Sequence, residues 1–311
     1  MLSVSQKTRD SFQGQSVLLT GASGGLGKQL ALQLAKHCKP KRLILSGRKE
    51  EDLQEIAKEC RIRLIAQGGD MDVDDIVHIL TADLSDKESV QALGESAVKT
   101  SGGVVDVLIN CGGVSSRSDF VDTKLEIDER VMQINFFAGA SLAKAVVPGM
   151  VDRVNSGGMI IWISSVQGLM GIPSRTSYAA SKFAVQGYCE ALRAELASSN
   201  VSVHCVSPGY IKTNLSLSAV RGDGSPHGSM DETTANGADP MDVAVEILDS
   251  AANGKNDFVV AANTSAKVAI WLRLLCPGVL QTLLVKRFEK AKKKESTSTS
   301  LSQATADKKI D

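Results

Sequence analysis

The amino-acid sequence predicts an α/β protein, a doubly wound parallel sheet in a single domain, followed by an apolar helical tail. Three observations carry this. Seven short apolar runs recur between Val17 and Ala261, helical patterns separate them, and a glycine-rich turn follows the first run directly. The runs are Val17–Leu19, Leu43–Leu45, Ile76–Leu80, Val104–Ile109, Met159–Ile163, Val201–Val206 and Phe258–Ala261. Most are apolar on successive residues rather than alternate ones, as parallel strands buried on both faces require. Between the first two, Leu26, Leu30 and Leu34 recur every fourth residue and place one apolar stripe on a helix. Phe183, Leu192 and Leu196 do the same after Lys182. Strand and helix alternating at this spacing imply right-handed crossovers in one open sheet. No internal repeat is present.

The boundaries follow from composition. Residues 1–15 read as a polar N-terminal extension without the apolar core of a signal peptide. Residues 16–262 form the domain, 263–289 an apolar tail, and 290–311 a low-complexity basic segment expected to be disordered. Gln67–Asp75 reads as a solvated acidic loop, and the polar stretch Asn214–Asp239 is long enough to be a lid.

Across 311 residues, 35 Lys and Arg balance 35 Asp and Glu, so there is no basic surplus to neutralise phosphates and no nucleic-acid partner is expected. With 43% hydrophobic residues, the chain has ample material for a core. Its six cysteines (Cys38, Cys60, Cys111, Cys189, Cys205, Cys276) have no paired spacing, which argues against disulfides or zinc and for a reducing compartment. His37, His78, His204 and His227 show no ligand spacing either, so no metal is expected.

Chemistry concentrates in four places. Thr20-Gly21-Ala22-Ser23-Gly24-Gly25-Leu26-Gly27 lies between the first strand and its helix. Glycines there let the backbone approach a pyrophosphate while the helix N-terminus presents free N–H groups; a plain structural turn is the alternative. The second strand ends Ser46-Gly47-Arg48. Enzymes that choose NAD usually place an acid here, whereas a guanidinium suits a 2′-phosphate, which favours NADP(H) over the reading of Arg48 as a plain surface arginine. Tyr178 and Lys182 are four residues apart on one helix face, where a nearby ammonium would lower the phenol pKa from about 10. Such a phenol can protonate a carbonyl oxygen. Ser164-Ser165 closes the fifth strand, where a hydroxyl can polarise the same carbonyl.

Taken in order, these motifs resemble the short-chain dehydrogenase/reductase family over nearly the whole domain. Thr20–Gly27 is similar to its Thr-Gly-x-x-x-Gly-x-Gly cofactor turn, Asp83-Leu84 to its adenine-contacting segment, and Asn110-Cys111-Gly112-Gly113 to its Asn-Asn-Ala-Gly stretch. Asn135 matches its helix asparagine, and Pro208–Thr213 resembles the segment that closes over the nicotinamide. Ser165 stands thirteen residues ahead of Tyr178, the family's usual separation, which selects it over Ser164. The resemblance implies a Rossmann-type fold with Asn135, Ser165, Tyr178 and Lys182 as a catalytic tetrad. Tyr178 would be the general acid, and Lys182 would hold the nicotinamide ribose and tune Tyr178. Ser165 would orient the substrate carbonyl, and Asn135 would anchor a water of the proton relay. Cofactor contacts would come from Gly21, Ser23, Gly24, Gly25, Leu26, Gly27, Arg48, Asp83, Leu84, Asn110, Gly112, Tyr178, Lys182, Ile211 and Thr213. Cys111 and Gly112 depart from the family's Asn and Ala, which bears on local contacts; Cys111 reads as a small buried residue rather than a reactive thiol.

Ser207–Gly237 and Lys267–Phe288 further resemble a membrane-associated subgroup of that family. Its proposed activity includes reducing acyl- or alkyl-dihydroxyacetone phosphate. The N-terminal apolar anchor of that subgroup has no counterpart in residues 1–15. Val268–Val285 is densely apolar but interrupted by Arg273, Gln281 and Pro277-Gly278, so spanning a bilayer is not expected. Two readings stay open: an interfacial helix with Trp271 as anchor and Lys286, Arg287, Lys290 and Lys292–Lys294 at anionic headgroups, or a helix covering the substrate mouth or a subunit interface. The final Lys308-Lys309-Ile310-Asp311 resembles a dilysine retrieval signal. The expectation is an NADPH-dependent reductase of a hydrophobic, lipid-like ketone, on the cytosolic face of the endoplasmic reticulum or a peroxisome, or otherwise cytoplasmic. A homo-oligomer stays open. The rivals are a non-catalytic NADPH-binding scaffold or sensor, and a steroid or retinoid dehydrogenase of the same fold. Lys212 and Arg221, in or beside the lid, are candidates to hold a substrate phosphate.

Overall fold

A computed structural model describes residues 3–68, 72–152 and 157–307, with side chains through residue 290 and at 292 and 293. Residues 3–263 form one compact unit and residues 264–307 a second. In the first, all seven apolar runs become strands: β1 (Ser16–Thr20), β2 (Arg42–Gly47), β3 (Val77–Thr81), β4 (Val107–Asn110), β5 (Gly158–Ile163), β6 (Val201–Pro208) and β7 (Asp257–Val260). They pair in parallel in the order β3-β2-β1-β4-β5-β6-β7. The order reverses between β1 and β4, whose ends meet in register at Thr20 and Asn110. That reversal opens the crevice where such sheets bind ligands.

Successive strand residues face opposite layers. Val17 and Leu19, Leu43 and Leu45, and Val107 and Ile109 pack with α1 (Gln6–Phe12), α2 (Gly25–His37), α3 (Glu50–Ile65) and α10 (Pro240–Ala252). Leu18, Ile44, Leu108, Ile160 and Trp162 pack with α5 (Lys87–Thr100), α7 (Ala138–Val151) and α8 (Thr176–Glu195). Two short turns, α4 (Val73–Ile76) and α9 (Glu232–Ala235), and α6 (Leu125–Met132) complete this unit. A π-helical turn, Gln133–Phe137, joins α6 to α7. The continuous stretch Leu125–Val151 is the one run among the described residues long and apolar enough to cross a membrane. Half of its apolar window is buried within the protein, with Val131, Ala138, Leu142, Ala143 and Val146 in the core, as for the core helix of a globular domain.

The first fifteen residues are more than the extension expected from their polarity. Residues 6–12 form α1, with Val4 and Phe12 buried in the core. The Ser5 N–H donates to Asp249 Oδ1 at 2.9 Å, and the Thr8 hydroxyl donates to the same oxygen. The lid stretch is also ordered. Ser116 bridges to Val220 and Ile211 to Ala238, and Val220 joins Ile127 and Val131 in a small apolar cluster. The acidic loop is described except for residues 69–71, and Asp72 caps α4 through the N–H groups of Asp74 and Asp75.

In the second unit, α11 (Thr264–Leu275) is followed by α12 (Pro277–Asp307), with Pro277 at the first helical position, where its missing N–H is not needed. The backbone beyond residue 289 thus continues as helix where disorder is expected from its composition. Its alanines, lysines and glutamate are good helix formers. Trp271, Leu274, Leu275, Val279, Leu283 and Val285 are exposed. Lys308 and Lys309 of the dilysine motif lie outside the described residues.

Candidate active site

A cleft of about 590 Å³ opens at the C-terminal ends of the strands. Its cofactor end is made of main chain. Gly21 has φ of +66°, and a Cβ there would stand 2.6 Å from the Gly112 Cα. At Gly27 a Cβ would meet the Gly21 carbonyl oxygen at 2.1 Å. Only glycine allows the turn and the helix to approach this closely. Asp86 and Asp239 cap α5 and α10 with their side chains, whereas Gly24 leaves the first N–H groups of α2 without a side-chain cap. An uncapped helix start in a glycine trough suits the pyrophosphate of a dinucleotide. Thr20 steadies the opposite wall, its Oγ1 accepting the N–H groups of Cys111 and Gly112 at 3.2 Å.

Farther along, a Cβ at Gly47 would come within 2.9 Å of Ser23 Oγ, so a side chain there would have to displace that hydroxyl. Arg48, exposed, lines the cleft beside Ser23, Lys49 and Asp83. The Asp83 carboxylate accepts the Ser85 N–H and hydroxyl at 2.9 and 2.8 Å. Partial burial acts to raise its pKa, but the Ser85 bonds and the positive charges of Arg48 and Arg130 outweigh it and leave it lowered.

The reacting end gathers Ser165, Tyr178 and Lys182 in one wall. Ser165 follows β5, and its hydroxyl is hydrogen-bonded to the Tyr178 side chain while also accepting the Gln167 N–H at 3.1 Å. Ser164 instead donates to the Lys182 carbonyl at 3.1 Å and accepts from Gln186, which ties β5 to α8. The Lys182 Nζ donates to the Ile163 carbonyl at 2.9 Å and lies 5.7 Å from the Tyr178 ring centre. The expected depression of the phenol pKa is not what the protein groups produce. Burial dominates and pushes Tyr178 up, opposed by the Ser165 hydrogen bond and by Arg117 and Arg175. Burial likewise brings the Lys182 ammonium down to about 8. Cys111, half-buried in the cleft wall, has its thiol pushed up to about 12 by desolvation, in keeping with an unreactive residue.

Of the expected site residues, Gly21, Ser23, Gly24, Gly25, Leu26, Gly27, Arg48, Asp83, Leu84, Gly112, Ser165, Tyr178, Lys182, Ile211 and Thr213 line this one cleft. Asn110 and Asn135 stand behind its wall instead. The Asn110 side chain turns toward the Gly139 carbonyl, 3.4 Å away. Asn135, on the π-helical turn, accepts the Val114 N–H at 2.8 Å and donates to the Val114 carbonyl and the Ser181 hydroxyl, both at 2.9 Å. Its side chain staples the strand β4 exit loop to α8. Lys212 and Arg221 are exposed and do not line the cleft.

Two further cations that line it, Arg117 and Arg175, are ones the sequence motifs do not mark. Arg117 donates through Nε and Nη2 to Asp231 Oδ2 at 3.0 and 2.6 Å, and Arg175 Nη2 reaches the same oxygen at 3.1 Å. Arg117 lies in the loop after β4, Arg175 just ahead of α8, and Asp231 in the lid, so no spacing rule links the three.

Comparison with known proteins agrees with this architecture. The short chain dehydrogenase family profile matches residues 15–223. The chain is 41% identical over 297 residues to "Dehydrogenase/reductase SDR family protein 7-like" of Drosophila melanogaster, covering 94% of this chain and 86% of the relative. It is 42% identical over 289 residues to "Dehydrogenase/reductase SDR family member 7B" of Danio rerio, covering 93% and 90%. In fold it is similar to a short-chain dehydrogenase/reductase from Burkholderia phymatum solved in complex with NAD (TM-score 0.71, 22% identity, 86% of this chain and 95% of that one). A short-chain dehydrogenase from Sphingobium yanoikuyae in complex with NADPH gives a TM-score of 0.66 at 25% identity, covering 87% and 95%. A cleft with a glycine cradle at one end and a serine, tyrosine and lysine at the other, matched by relatives along almost the whole chain, makes this protein a member of the short-chain dehydrogenase/reductase family, an oxidoreductase that uses a nicotinamide cofactor.

Proposed function

We propose that this oxidoreductase is an NADP(H)-dependent reductase of a ketone on a hydrophobic or lipid-like substrate, with acyl- or alkyl-dihydroxyacetone phosphate the leading example. The single observation behind it is the hydrogen-bonded Ser165–Tyr178 pair, with Lys182 beside it, in the same cleft as the glycine cradle. When bound, the nicotinamide supplies hydride to the carbonyl carbon. Ser165 holds the carbonyl oxygen, and the Tyr178 hydroxyl gives that oxygen its proton as negative charge develops there. The Lys182 ammonium, held by the Ile163 carbonyl, donates to the ribose hydroxyls and favours the phenolate that proton transfer leaves behind. Asn135 acts through position, fixing the Val114 loop and Ser181 of α8 so that Tyr178 and Lys182 keep their places.

The NADP(H) preference rests on Arg48 with Ser23 and Lys49, three groups able to donate to a 2′-phosphate where Gly47 provides no acid to bind a 2′-hydroxyl. The exposed apolar residues of α11 and early α12, with Lys286, Arg287 and Lys290 close behind, favour contact with an anionic membrane surface through residues 267–288, on the cytosolic side of the endoplasmic reticulum or peroxisome.

The test is NADPH oxidation by purified protein across a ketone panel, with and without anionic vesicles, for wild type and Tyr178→Phe. Turnover in the wild type that is lost in the variant supports the reading. NADPH binding equal in both forms with no turnover in either would leave a non-catalytic cofactor-binding scaffold or sensor.

A further inference from the structure

The reacting end of the cleft carries more positive charge than its own residues neutralise. Arg117, Arg175 and Asp231 bring two guanidinium groups to one carboxylate. His227 lies 3.7 Å from Asp231 Oδ1, and burial first of all keeps its pKa low, so it adds little charge near pH 7. Arg117 alone already satisfies Asp231 Oδ2, with two donors on it. Its Nη1 donates to the Ser115 hydroxyl and to the Ser116 carbonyl at 2.7 Å, so this guanidinium is almost fully used by the protein.

Arg175 is different. The one hydrogen bond of its guanidinium among the described residues is the 3.1 Å contact from Nη2 to Asp231, although its side chain is only 11% exposed and lines the cleft. A guanidinium keeps its proton, and no Arg175 nitrogen is sealed from the cleft, so the donors that Asp231 does not take are open to a ligand there. The fork matches two oxygens of a single anion. It stands three residues ahead of Tyr178, and its charge and that of Arg117 are both felt at the Tyr178 hydroxyl. Apolar Val114, Ile134, Val166 and Leu215 share the same cleft.

We propose that Arg175, backed by Arg117 and held by Asp231 of the lid, is an anion-binding subsite that selects carbonyl substrates bearing a phosphate or carboxylate close to the reacting carbon. It rests on the carbonyl-reductase reading of Ser165 and Tyr178 and names the substrate class for it. Asp231 occupies one edge of the fork, and the incoming anion takes the donors facing the cleft. The substrate anion therefore adds to the strap between lid and body rather than displacing it.

The experiment uses the full chain loaded with NADPH and three small ketones: hydroxyacetone, hydroxyacetone phosphate and levulinate. Wild type is expected to show kcat/KM at least about tenfold higher for one or both anions than for hydroxyacetone, the size expected of hydrogen bonds to charged groups. That ratio should collapse toward one in Arg175→Gln and be partly kept in Arg175→Lys. The order of hydroxyacetone phosphate and levulinate identifies which anion the fork fits. Retained NADPH affinity shows that the variants fold. Binding of glycerol phosphate, which contains no ketone, is measured in parallel by calorimetry against glycerol. A ratio near one in wild type, or one that Arg175→Gln leaves intact, overturns the proposal. Should no ketone turn over, the reductase reading fails by itself. Glycerol phosphate binding weakened about tenfold or more by Arg175→Gln would then still support the subsite, and binding indifferent to the substitution would sink it.

Discussion

Around the glycine cradle, the cleft is walled by Gly21, Gly24, Gly27 and Gly112 and by the bare start of α2, so the groups offered to a ligand there are backbone N–H donors, with the side chains of Ser23, Arg48 and Lys49 farther along. At the reacting end, the wall is Ser165, Tyr178, Lys182, Arg117 and Arg175, and everything offered is a side chain. The first end depends on the absence of atoms, and a Cβ in the wrong place ruins it. The second depends on charges taken out of water, and its behaviour is set by burial as much as by residue type. One region is therefore sensitive to shape, the other to electrostatics and protonation.

The largest break in this contrast is expected from Tyr178→Phe. It removes one hydroxyl at the reacting end and should lower ketone turnover by about a hundredfold to ten-thousandfold while NADPH titration stays near wild type. Equal loss of both would mean the two ends are not separable. Arg48→Ala should weaken NADPH by about ten- to a hundredfold and NADH far less, read from the two dissociation constants. A uniform loss would remove the 2′-phosphate role.

Gly21→Ala tests the shape-sensitive end. With φ at +66° and Gly112 2.6 Å from the new Cβ, stability should fall by about 1 to 3 kcal/mol in denaturant unfolding, together with cofactor affinity. The same substitution at Gly278, which meets nothing within 4 Å, makes the control.

The most gradual effect belongs to protonation. Lys182 titrates near 8 in the fold against 10.5 when unfolded. Below pH 8 both states are protonated and the cost of burying the charge is fully present. Between pH 8 and 10.5 the unfolded chain holds a proton that the folded one lacks, so this residue's contribution to stability climbs with pH, by at most about 1.4 kcal/mol per unit. Buried thiols at Cys38, Cys60 and Cys111, raised to about 12, act in the opposite direction above pH 9. Cys38 and Cys60 cancel when wild type is compared with Lys182→Met, and Cys111, which feels the Lys182 charge, is removed by making the comparison in a Cys111→Ala background. The stability gap between those two forms should shift steadily in favour of the wild type from pH 8 to 10.5; a constant gap would place the ammonium in a more polar setting than its burial implies.

Much of this was legible before the fold was known. Every apolar run became a strand, because a strand buried on both faces must be apolar at consecutive positions. The glycine turn and Arg48 were readable because each sits at a strand end, Tyr178 and Lys182 because they share one helix face four residues apart, and Ser165 because of its separation from Tyr178. What escaped was assembled from distant segments. α1 was hidden because few of its residues face inward, Phe12 and Thr8 among them, too few for a periodic pattern. Asn135 was marked by its motif, but that its amide takes Val114 and Ser181 as partners is a matter of which way one side chain points.

The alternation of strands and helices, the glycine turn and the Tyr178–Lys182 pair on one helix face were determined by the sequence alone, since hydrophobic period and local backbone geometry are short-range properties. The tertiary structure decided the protonation of the site and the meeting of Arg117, Arg175 and Asp231. Desolvation and charge pairing depend on which groups share a volume from which water is excluded, and only the folded chain brings residues 117, 175 and 231 into one.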